Sequence, residues 1–305
     1  MENVIEIKNL SKSYGEIKAV DDLSFSVKQG ELFAFLGVNG AGKSTTISVM
    51  CGALEKDSGK VVLGGYDATT NAREVKKLLG VVFQQSVLDS SLSVIDNLKI
   101  RASLYGIYGE EFDKKFNELS SYFGLEEIKK RQVGKLSGGQ RRRVDIARAL
   151  VSSPEILIMD EPTTGLDPQT RKDVWQTVEK LRKERNMTVF LTTHYMEEAA
   201  NSDYIVIIDG GKTVAEGKPL ELKNAFTDDY MFVYGVEEET VENIGLKYTK
   251  IQDGFRINVG GTEKVKEILL SNPEIRDFEV VKGKMDDVFL AVTGKKLTGD
   301  NNENA

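Results

Sequence analysis

Uninterrupted apolar segments predict buried strands at several points in the first two thirds of the chain. Every residue of 32–36 and of 156–159 is apolar, which is typical of parallel strands covered on both faces of a sheet. Alternating apolar and polar residues at 4–8 and 23–27 predict strands with one exposed face. Helical periodicity follows several strands and extends without a strand over about residues 90–152. The pattern therefore predicts an α/β domain with a helical insertion.

The pattern of the chain changes after about Leu220. Short strands are predicted at 230–234, 247–251, 255–259 and 278–281, and helices at 262–270 and 285–292. Segments of this length predict a small α+β domain at 221–294, beside a first domain at 1–220. The polar residues 295–305 predict a disordered tail.

Composition narrows the class of protein. The formal net charge of −7 disfavours nucleic acid as a partner. Cys51 is the only cysteine, so an internal disulfide is excluded and a reducing compartment is expected. No apolar run approaches the roughly 18 residues of a membrane span, and the start Met1-Glu2-Asn3 does not predict a secretory signal. We therefore expect a chain that is soluble by itself and is held at a membrane, if at all, by another protein.

A glycine-rich segment, Gly37–Thr45, lies between the first buried strand and a predicted helix at 45–54. It matches G-x-x-x-x-G-K-[ST], a loop whose backbone N–H groups surround phosphates. We expect Lys43 to reach the β- and γ-phosphates of a nucleotide and Ser44 to ligate Mg²⁺. The other predicted contacts of this phosphate loop are Gly37, Asn39, Gly40, Ala41, Gly42 and Thr45. Tyr14 precedes the loop in the sequence. Its position predicts equally well that it stacks on the base of a nucleotide or that it lies in the core of a sheet.

Polar side chains end three other predicted strands. Gln84 can ligate Mg²⁺ or position water, although an ordinary surface glutamine is the alternative. Asp160 and Glu161 follow the apolar strand at 156–159, and α/β sheets bind ligands at the carboxyl ends of their strands. We expect Asp160 near Mg²⁺ and Glu161 as the base that orients the attacking water. His194 is the only histidine, and a structural role and a γ-phosphate contact are equally open.

A second glycine motif is the signature segment, Leu136–Gln140. Ser137 is a natural N-cap for a helix at 139–152, and a helix start of this type is a second anion site. Three arginines follow at 141–143, for which we expect a solvated or helix-packing role rather than contact with a nucleotide. Asp167 is predicted to cap another helix, with Pro168 in its first turn.

Together these motifs resemble the ATP-binding cassette (ABC) family of ATPases over about residues 3–220. They follow the family's order: Tyr14, Gly37–Thr45, Gln84, Leu136–Gln140, Ile156–Glu161, Asp167 after Gly165-Leu166, and His194. The resemblance implies a P-loop NTPase cassette, in which a mixed sheet is combined with a helical subdomain at about 90–152 and an N-terminal antiparallel sheet. It also implies functional roles for Tyr14, Gln84 and His194.

The resemblance further implies that two cassettes meet head to tail with two ATP molecules between them. In one chain, each ATP with its Mg²⁺ would lie on Lys43, Ser44, Gln84 and Asp160. In the other chain, the ATP would meet Ser137, Gly138 and Gly139, with Gln140 and Asp167 nearby. Glu161 would position water, and His194 would stabilise the transferring phosphoryl group.

Within the family, the chain resembles ATPases of drug- and antibiotic-resistance exporters at 141–150, 193–199 and 285–294. Gln140 departs from that group, which often has methionine there. We expect an ATP-hydrolysing subunit at the cytoplasmic face of the membrane, paired with a second identical chain and with a separate integral membrane permease. The alternatives are an importer subunit and a non-transport ATPase acting on ribosomes or DNA. The single cassette and the short interval from Gln84 to Ser137 disfavour the last of these.

Overall fold

The computed structural model describes residues 2–295, which form two compact units. The first unit comprises the chain up to His194 and Ser202–Val214, and the second comprises Tyr195–Asn201 and the chain from Ala215. Of the tail predicted at 295–305, all but Lys295 lies outside the described residues. Within residues 2–295, the structure contains no helix whose length and apolar character would let it cross a bilayer.

The strands are, in chain order, β1 (Asn3–Tyr14), β2 (Ile17–Lys28), β3 (Leu32–Leu36), β4 (Ser58–Leu63), β5 (Tyr66–Asp67), β6 (Leu79–Val82), β7 (Ile156–Asp160), β8 (Thr188–Thr193), β9 (Tyr204–Asp209), β10 (Lys212–Gly217), β11 (Tyr230–Tyr234), β12 (Tyr248–Ile251), β13 (Gly254–Asn258) and β14 (Asp277–Val281). The helices are α1 (Lys43–Met50), α2 (Ala72–Leu78), α3 (Val94–Ser103), α4 (Gly109–Phe123), α5 (Gly138–Leu150), α6 (Pro168–Arg185), α7 (Met196–Ala200), α8 (Pro219–Phe226), α9 (Glu238–Ile244), α10 (Thr262–Ser271) and α11 (Met285–Thr293).

Two sheets organise the first unit. A six-stranded sheet has the order β10-β9-β3-β8-β7-β6, with parallel pairing from β9 through β6. A four-stranded sheet has the order β2-β1-β4-β5 and is antiparallel. The parallel register places the carboxyl ends of β3, β6, β7 and β8 along one edge. The α/β cassette with an N-terminal antiparallel sheet is therefore confirmed.

The apolar strands are buried because a separate core covers each face of the six-stranded sheet. Phe33 of β3 stacks with Phe25 of the antiparallel sheet and with Phe190 of β8, and Phe35 packs against the same two rings at a tilt. On the other face, Leu32 and its neighbours pack into a core shared with the helical region. Strands enclosed in this way have no polar face, which explains the uninterrupted apolar runs in the sequence.

The helical region contains α3, α4 and α5 and no strand. One face of α4 is buried through Phe112, Phe116, Leu119 and Phe123, a spacing that matches the helical period. The glycines at 106 and 109 predict a break in the helical pattern, and the structure has it between α3 and α4. The pattern also predicts a short helix at 125–131, where the structure has only a 3₁₀ turn at Glu126–Ile128.

The second unit contains the order β11-α9-β12-β13-α10-β14, a split βαβ arrangement. Its antiparallel sheet has the order β12-β13-β11-β14, and Met231, Val233, Phe255 and Ile257 contribute to its core. The pattern of the sequence does not predict α9. This seven-residue helix is rich in glutamate and buries only Val241, so it has no apolar stripe to reveal it.

Candidate active site

The phosphate loop connects the buried strand β3 to α1. Gly42 has a φ of 109°, and a Cβ there would lie 2.4 Å from the carbonyl oxygen of Ala19. Only glycine fits that position without moving the backbone. The helix begins at Lys43 and ends at Met50, earlier at both ends than the predicted 45–54. The tight turn thus directs the amino end of α1 towards the space above the loop.

Lys43 is folded onto the phosphate loop. Its side chain is buried, and Nζ donates hydrogen bonds to the carbonyl oxygens of Gly37 at 2.6 Å and Val38 at 3.2 Å. Burial lowers the pKa of Lys43, while the nearby carboxylates of Glu161 and Asp160 act in the opposite direction. The ammonium group is therefore held next to the phosphate loop. When a nucleotide binds there, its phosphate oxygens can replace these two carbonyl oxygens as acceptors.

One cavity brings together most of the predicted phosphate and metal contacts. It is lined by Ala19, Asn39, Gly40, Gly42, Lys43, Ser44, Thr45, Gln84, Asp160 and Glu161. The hydroxyl of Ser44, the amide of Gln84 and the carboxylate of Asp160 provide oxygen donors. Mg²⁺ is commonly bound by one or two carboxylates completed by phosphate oxygens and water, so the side chains lining this cavity fit that ion.

Glu161 is the centre of a hydrogen-bonded group. Its Oε2 accepts from Gln84 Nε2 at 3.0 Å, from Thr164 Oγ1 at 3.4 Å and lies 3.3 Å from His194 Nδ1. The hydrogen bond with His194 is the largest cause of a lowered Glu161 pKa. The carboxylate is therefore ionised at neutral pH and able to accept a proton from water.

Asp160 has a different environment from its neighbour. Burial is the main cause of its raised pKa, which the charge of Glu161 raises further, while a hydrogen bond from Thr192 Oγ1 lowers it. A cation in the cavity would favour the ionised form of this carboxyl group. The two adjacent acids have opposite pKa shifts because hydrogen bonding is the largest effect at Glu161, whereas burial is the largest effect at Asp160.

The signature segment forms a second cavity that shares no lining residue with the first. Ser137 caps α5: its Oγ accepts from the Gln140 N–H at 3.2 Å, and Gln140 Oε1 accepts from the Ser137 N–H at 3.1 Å. Gly138, Gly139 and Asp167 also line this cavity. Asp167 caps α6 through Thr170. Within one chain, these residues are not brought to the phosphate loop.

Tyr14 is separate from both cavities. It ends β1, and its side chain is 52% exposed. The alternative of a core tyrosine is therefore wrong, while stacking on a base stays a prediction.

Arg142 makes contacts that the sequence does not predict. Of the two roles expected for the three arginines, solvated or helix-packing, the solvated one is wrong for Arg142, which is 7% exposed. Its guanidinium donates to the backbone carbonyls of Phe83, the residue before Gln84, and of Glu161. Three consecutive arginines follow the signature segment, and nothing in their composition distinguishes the one that turns inward. Thr192, which bonds Asp160, was also missed, because threonine is common in strands.

The fold and the phosphate-loop cavity together define a P-loop nucleoside triphosphatase. A family model described as ABC transporter matches residues 20–164. The Nod factor export ATP-binding protein I of Cupriavidus pinatubonensis is 40% identical over 96% of this chain and 92% of its own length. The linearmycin resistance ATP-binding protein LnrL of Bacillus subtilis is 36% identical over 96% and 99%. The chain belongs to the ABC transporter family, among its ATP-binding proteins, and is an ABC-type ATPase.

Solved structures agree with this assignment. The structure of cbiO1 from Clostridium perfringens, part of the ABC transporter complex cbiONQ, aligns with a TM-score of 0.68 at 28% identity, over 73% of this chain and 91% of that one. The dimeric post-hydrolysis state of the cassette MJ0796, bound to ADP and Pi, aligns with a TM-score of 0.65 at 30% identity, over 70% and 98%.

Proposed function

We propose that this protein is the ATPase subunit of an exporter and works as a pair of identical chains. The observation that supports the pair is the separation of the two cavities. The phosphate loop and the signature segment are both anion sites at a helix start, yet they share no lining residue. Two chains related head to tail would bring each cavity against its complement. Each of two ATP molecules would then be enclosed by both chains.

The phosphate-loop cavity provides the chemistry of hydrolysis in this proposal. Lys43 binds the β- and γ-phosphates, and Ser44, Gln84 and Asp160 would hold Mg²⁺, which neutralises developing phosphate charge. Glu161 accepts a proton from the attacking water, which Gln84 also helps to orient. His194, already hydrogen-bonded to Glu161, stabilises the transferring phosphoryl group.

The signature cavity acts on the ATP of the partner chain. Ser137, Gly138 and Gly139 present backbone N–H groups and a hydroxyl to the γ-phosphate, with Gln140 and Asp167 supporting the turn. Tyr14 stacks on the base. Because the γ-phosphate joins the two chains, binding of ATP closes the pair and hydrolysis opens it.

The membrane partner would be a separate integral membrane permease, to which this chain binds at the cytoplasmic face of the membrane. A cleft lined by Arg73, Lys76, Lys77, Arg101, Leu104 and Tyr105 offers positive charge beside apolar surface. Leu104 is 72% exposed, which suits a protein contact better than solvent. The cleft is formed in part by α2, which leads through β6 directly to Gln84. An acidic, partly apolar segment of the permease fits this surface. The direction of transport is supported by the relatives reported above, of which one is a Nod factor export protein and another a linearmycin resistance protein.

A Glu161→Gln variant tests the paired mechanism. It keeps the shape of the site but removes the proton acceptor, so ATP should bind without being hydrolysed. Size-exclusion chromatography with light scattering should show a monomer without nucleotide and a dimer with Mg-ATP. A monomer at saturating Mg-ATP would contradict the head-to-tail arrangement.

The same variant tests the membrane partner. Glu161→Gln with Mg-ATP should retain a polytopic membrane protein from detergent-solubilised membranes, identified by mass spectrometry. The matched variant Lys77→Glu/Glu161→Gln should still form the ATP-dependent dimer but lose that protein. Recovery of ribosomal or DNA-bound proteins instead would overturn the transport function and leave the ATPase chemistry intact.

A further inference from the structure

Arg142 joins the helix of the signature segment to the two loops that carry the hydrolytic side chains. It lies on α5, five positions after Ser137. Its Nη1 donates to the carbonyl of Phe83 at 2.7 Å, and Nη2 donates to that of Glu161 at 3.2 Å. Its Nε also donates to the carbonyl of Pro162. A single buried guanidinium therefore spans the ends of β6 and β7.

The backbone that Arg142 holds at Glu161 is strained. Glu161 has a φ of 44°, in the left-handed region that non-glycine residues rarely adopt. Such a conformation is unfavourable for a glutamate and persists only where surrounding contacts enforce it. On the amino side, the N–H of Glu161 bonds Thr192. On the carboxyl side, the carbonyls of Glu161 and Pro162 are both bonded by Arg142.

The loop of Gln84 is held by the same helix. The carbonyl of Phe83, immediately before Gln84, accepts from Arg142. Further along, Ser86 Oγ donates to the buried carboxylate of Asp145, one turn beyond Arg142 on α5. The hydrogen bond from Gln84 Nε2 to Glu161 Oε2 therefore joins two loops whose backbones are fixed to one helix.

We propose that Arg142 is a positioning residue for ATP hydrolysis. Its guanidinium holds the Glu161 and Gln84 loops at the spacing that lets both side chains act on one water molecule. Arg142 lines neither the phosphate-loop cavity nor the signature cavity, so it acts through these loops and not on the nucleotide. The proposal rests on the hydrolytic role given above to Glu161.

The geometry of the guanidinium explains why arginine is needed. Three carbonyls on two loops require several N–H donors in one plane, which the guanidinium supplies in a rigid arrangement. Lysine has a single nitrogen on a flexible stem and can satisfy only part of the set. Glutamine has two amide hydrogens on one nitrogen and a shorter stem. Both substitutions should therefore release at least one loop.

The test compares Arg142→Gln with a matched arginine elsewhere. Arg182 donates to the carbonyl of Gly30 at 2.6 Å and pairs with Asp203 at 2.7 Å, with its side chain 11% exposed. Arg182→Gln thus also removes a largely buried guanidinium bound to backbone, but away from both cavities. For each variant, kcat and KM for Mg-ATP, nucleotide affinity and thermal unfolding are measured.

We expect Arg142→Gln to lower kcat about 10- to 100-fold, the usual cost of misplacing a catalytic group, and to change the KM for ATP by less than about threefold. Arg182→Gln should lower the unfolding temperature and leave kcat near the wild-type value. Arg142→Lys should fall between Arg142→Gln and the wild type. Guanidinium ion at a low, non-denaturing concentration should restore part of the kcat of Arg142→Ala, but none of that lost in Glu161→Gln.

Other outcomes overturn the proposal. Wild-type kcat in Arg142→Gln would show that the loops keep their positions without the guanidinium. A raised KM with unchanged kcat would indicate contact with the nucleotide instead. If Arg142→Gln does not fold, Arg142→Lys decides: wild-type kcat in that variant overturns the proposal. Failure of the underlying role of Glu161 is distinguishable, because the Glu161→Gln variant would then hydrolyse ATP at the wild-type rate, whatever the effect of Arg142→Gln.

Discussion

Gly138 occupies a position where the isolated chain does not need glycine. Its φ lies outside the left-handed region, and an added Cβ would meet no atom within 4 Å. At the neighbouring Gly139, a Cβ would lie 2.7 Å from Cγ2 of Thr170. The space in front of Gly138 is therefore open in one chain. In the proposed pair, the γ-phosphate bound to the other chain fills that space.

The variant Gly138→Ala separates folding from pairing. Replacing glycine by alanine where the backbone accepts it stabilises a protein by about 0.4–1 kcal/mol, mainly by restricting the unfolded chain. For a domain of about 150–250 residues, each kcal/mol raises Tm by about 2–4 °C, so we expect a rise of roughly 1–4 °C. The same methyl group would obstruct the phosphate of the partner chain, so ATP-dependent pairing should be lost.

The assay compares Gly138→Ala/Glu161→Gln with Glu161→Gln. Thermal unfolding is measured without nucleotide, and the molar mass is measured by light scattering at increasing Mg-ATP. Gly139→Ala is the control and should lower Tm, because its Cβ meets Thr170. Adding Thr170→Ser removes Cγ2 and should recover part of that loss.

Two results would refute this reasoning. A lower Tm in Gly138→Ala would mean that the space beside this glycine is not open in the folded chain. An unchanged concentration of Mg-ATP for half-maximal dimer formation would mean that no phosphate approaches the start of α5. In the second case, the head-to-tail pairing of the two cavities would have to be abandoned.

Three further variants test the site and the core. Lys43→Met should abolish the thermal stabilisation by ATP in EDTA, which in the wild type is about 2.7 kcal/mol at a hundred times Kd; an undiminished shift would contradict phosphate binding by Lys43. His194→Ala should lower kcat and move the acidic limb of the remaining turnover to higher pH, because the pKa of Glu161 rises once its main hydrogen-bond donor is lost; an unmoved limb in a pH–rate profile would assign that limb to another group. Phe123→Ala should cost about 3–5 kcal/mol in urea unfolding, since Phe123 is 1% exposed in the core; a smaller loss would mean that the helical region repacks.

The position of the site could be predicted from the sequence because parallel strand pairing brings the carboxyl ends of several strands together at one edge of the sheet. Asp160 and His194 follow apolar runs, and parallel pairing aligns Asp160 with Thr192 in the next strand. The phosphate loop follows β3 at the same edge of the sheet. Polar residues at the carboxyl ends of the neighbouring parallel strands therefore lie near that loop. The contact of Gln84 with Glu161 follows from the same rule, since β6 pairs with β7.

The direction in which a side chain points from its helix could not be predicted in this way. Consecutive helical residues point about 100° apart, so one of three adjacent arginines can face inward while its neighbours do not. Arg142 turns towards β6 and β7, whereas Arg143 donates to the carbonyl of Phe123 in the helical region. Only the packing of α5 against its neighbours decides which arginine is buried.

The backbone at Glu161 shows why this limit matters for function. Glutamate rarely adopts a φ of 44°, because its side chain disfavours the left-handed region. A prediction from sequence patterns assigns each residue type its usual conformation and therefore does not show such an exception. The conformation is enforced by Thr192 on one side and Arg142 on the other. A catalytic carboxylate on a relaxed strand end would be free to rotate, whereas one held between two elements has a defined direction. The residues that impose that direction need no chemical signature of their own, so they become visible only when the hydrogen bonds of the strained peptide are traced.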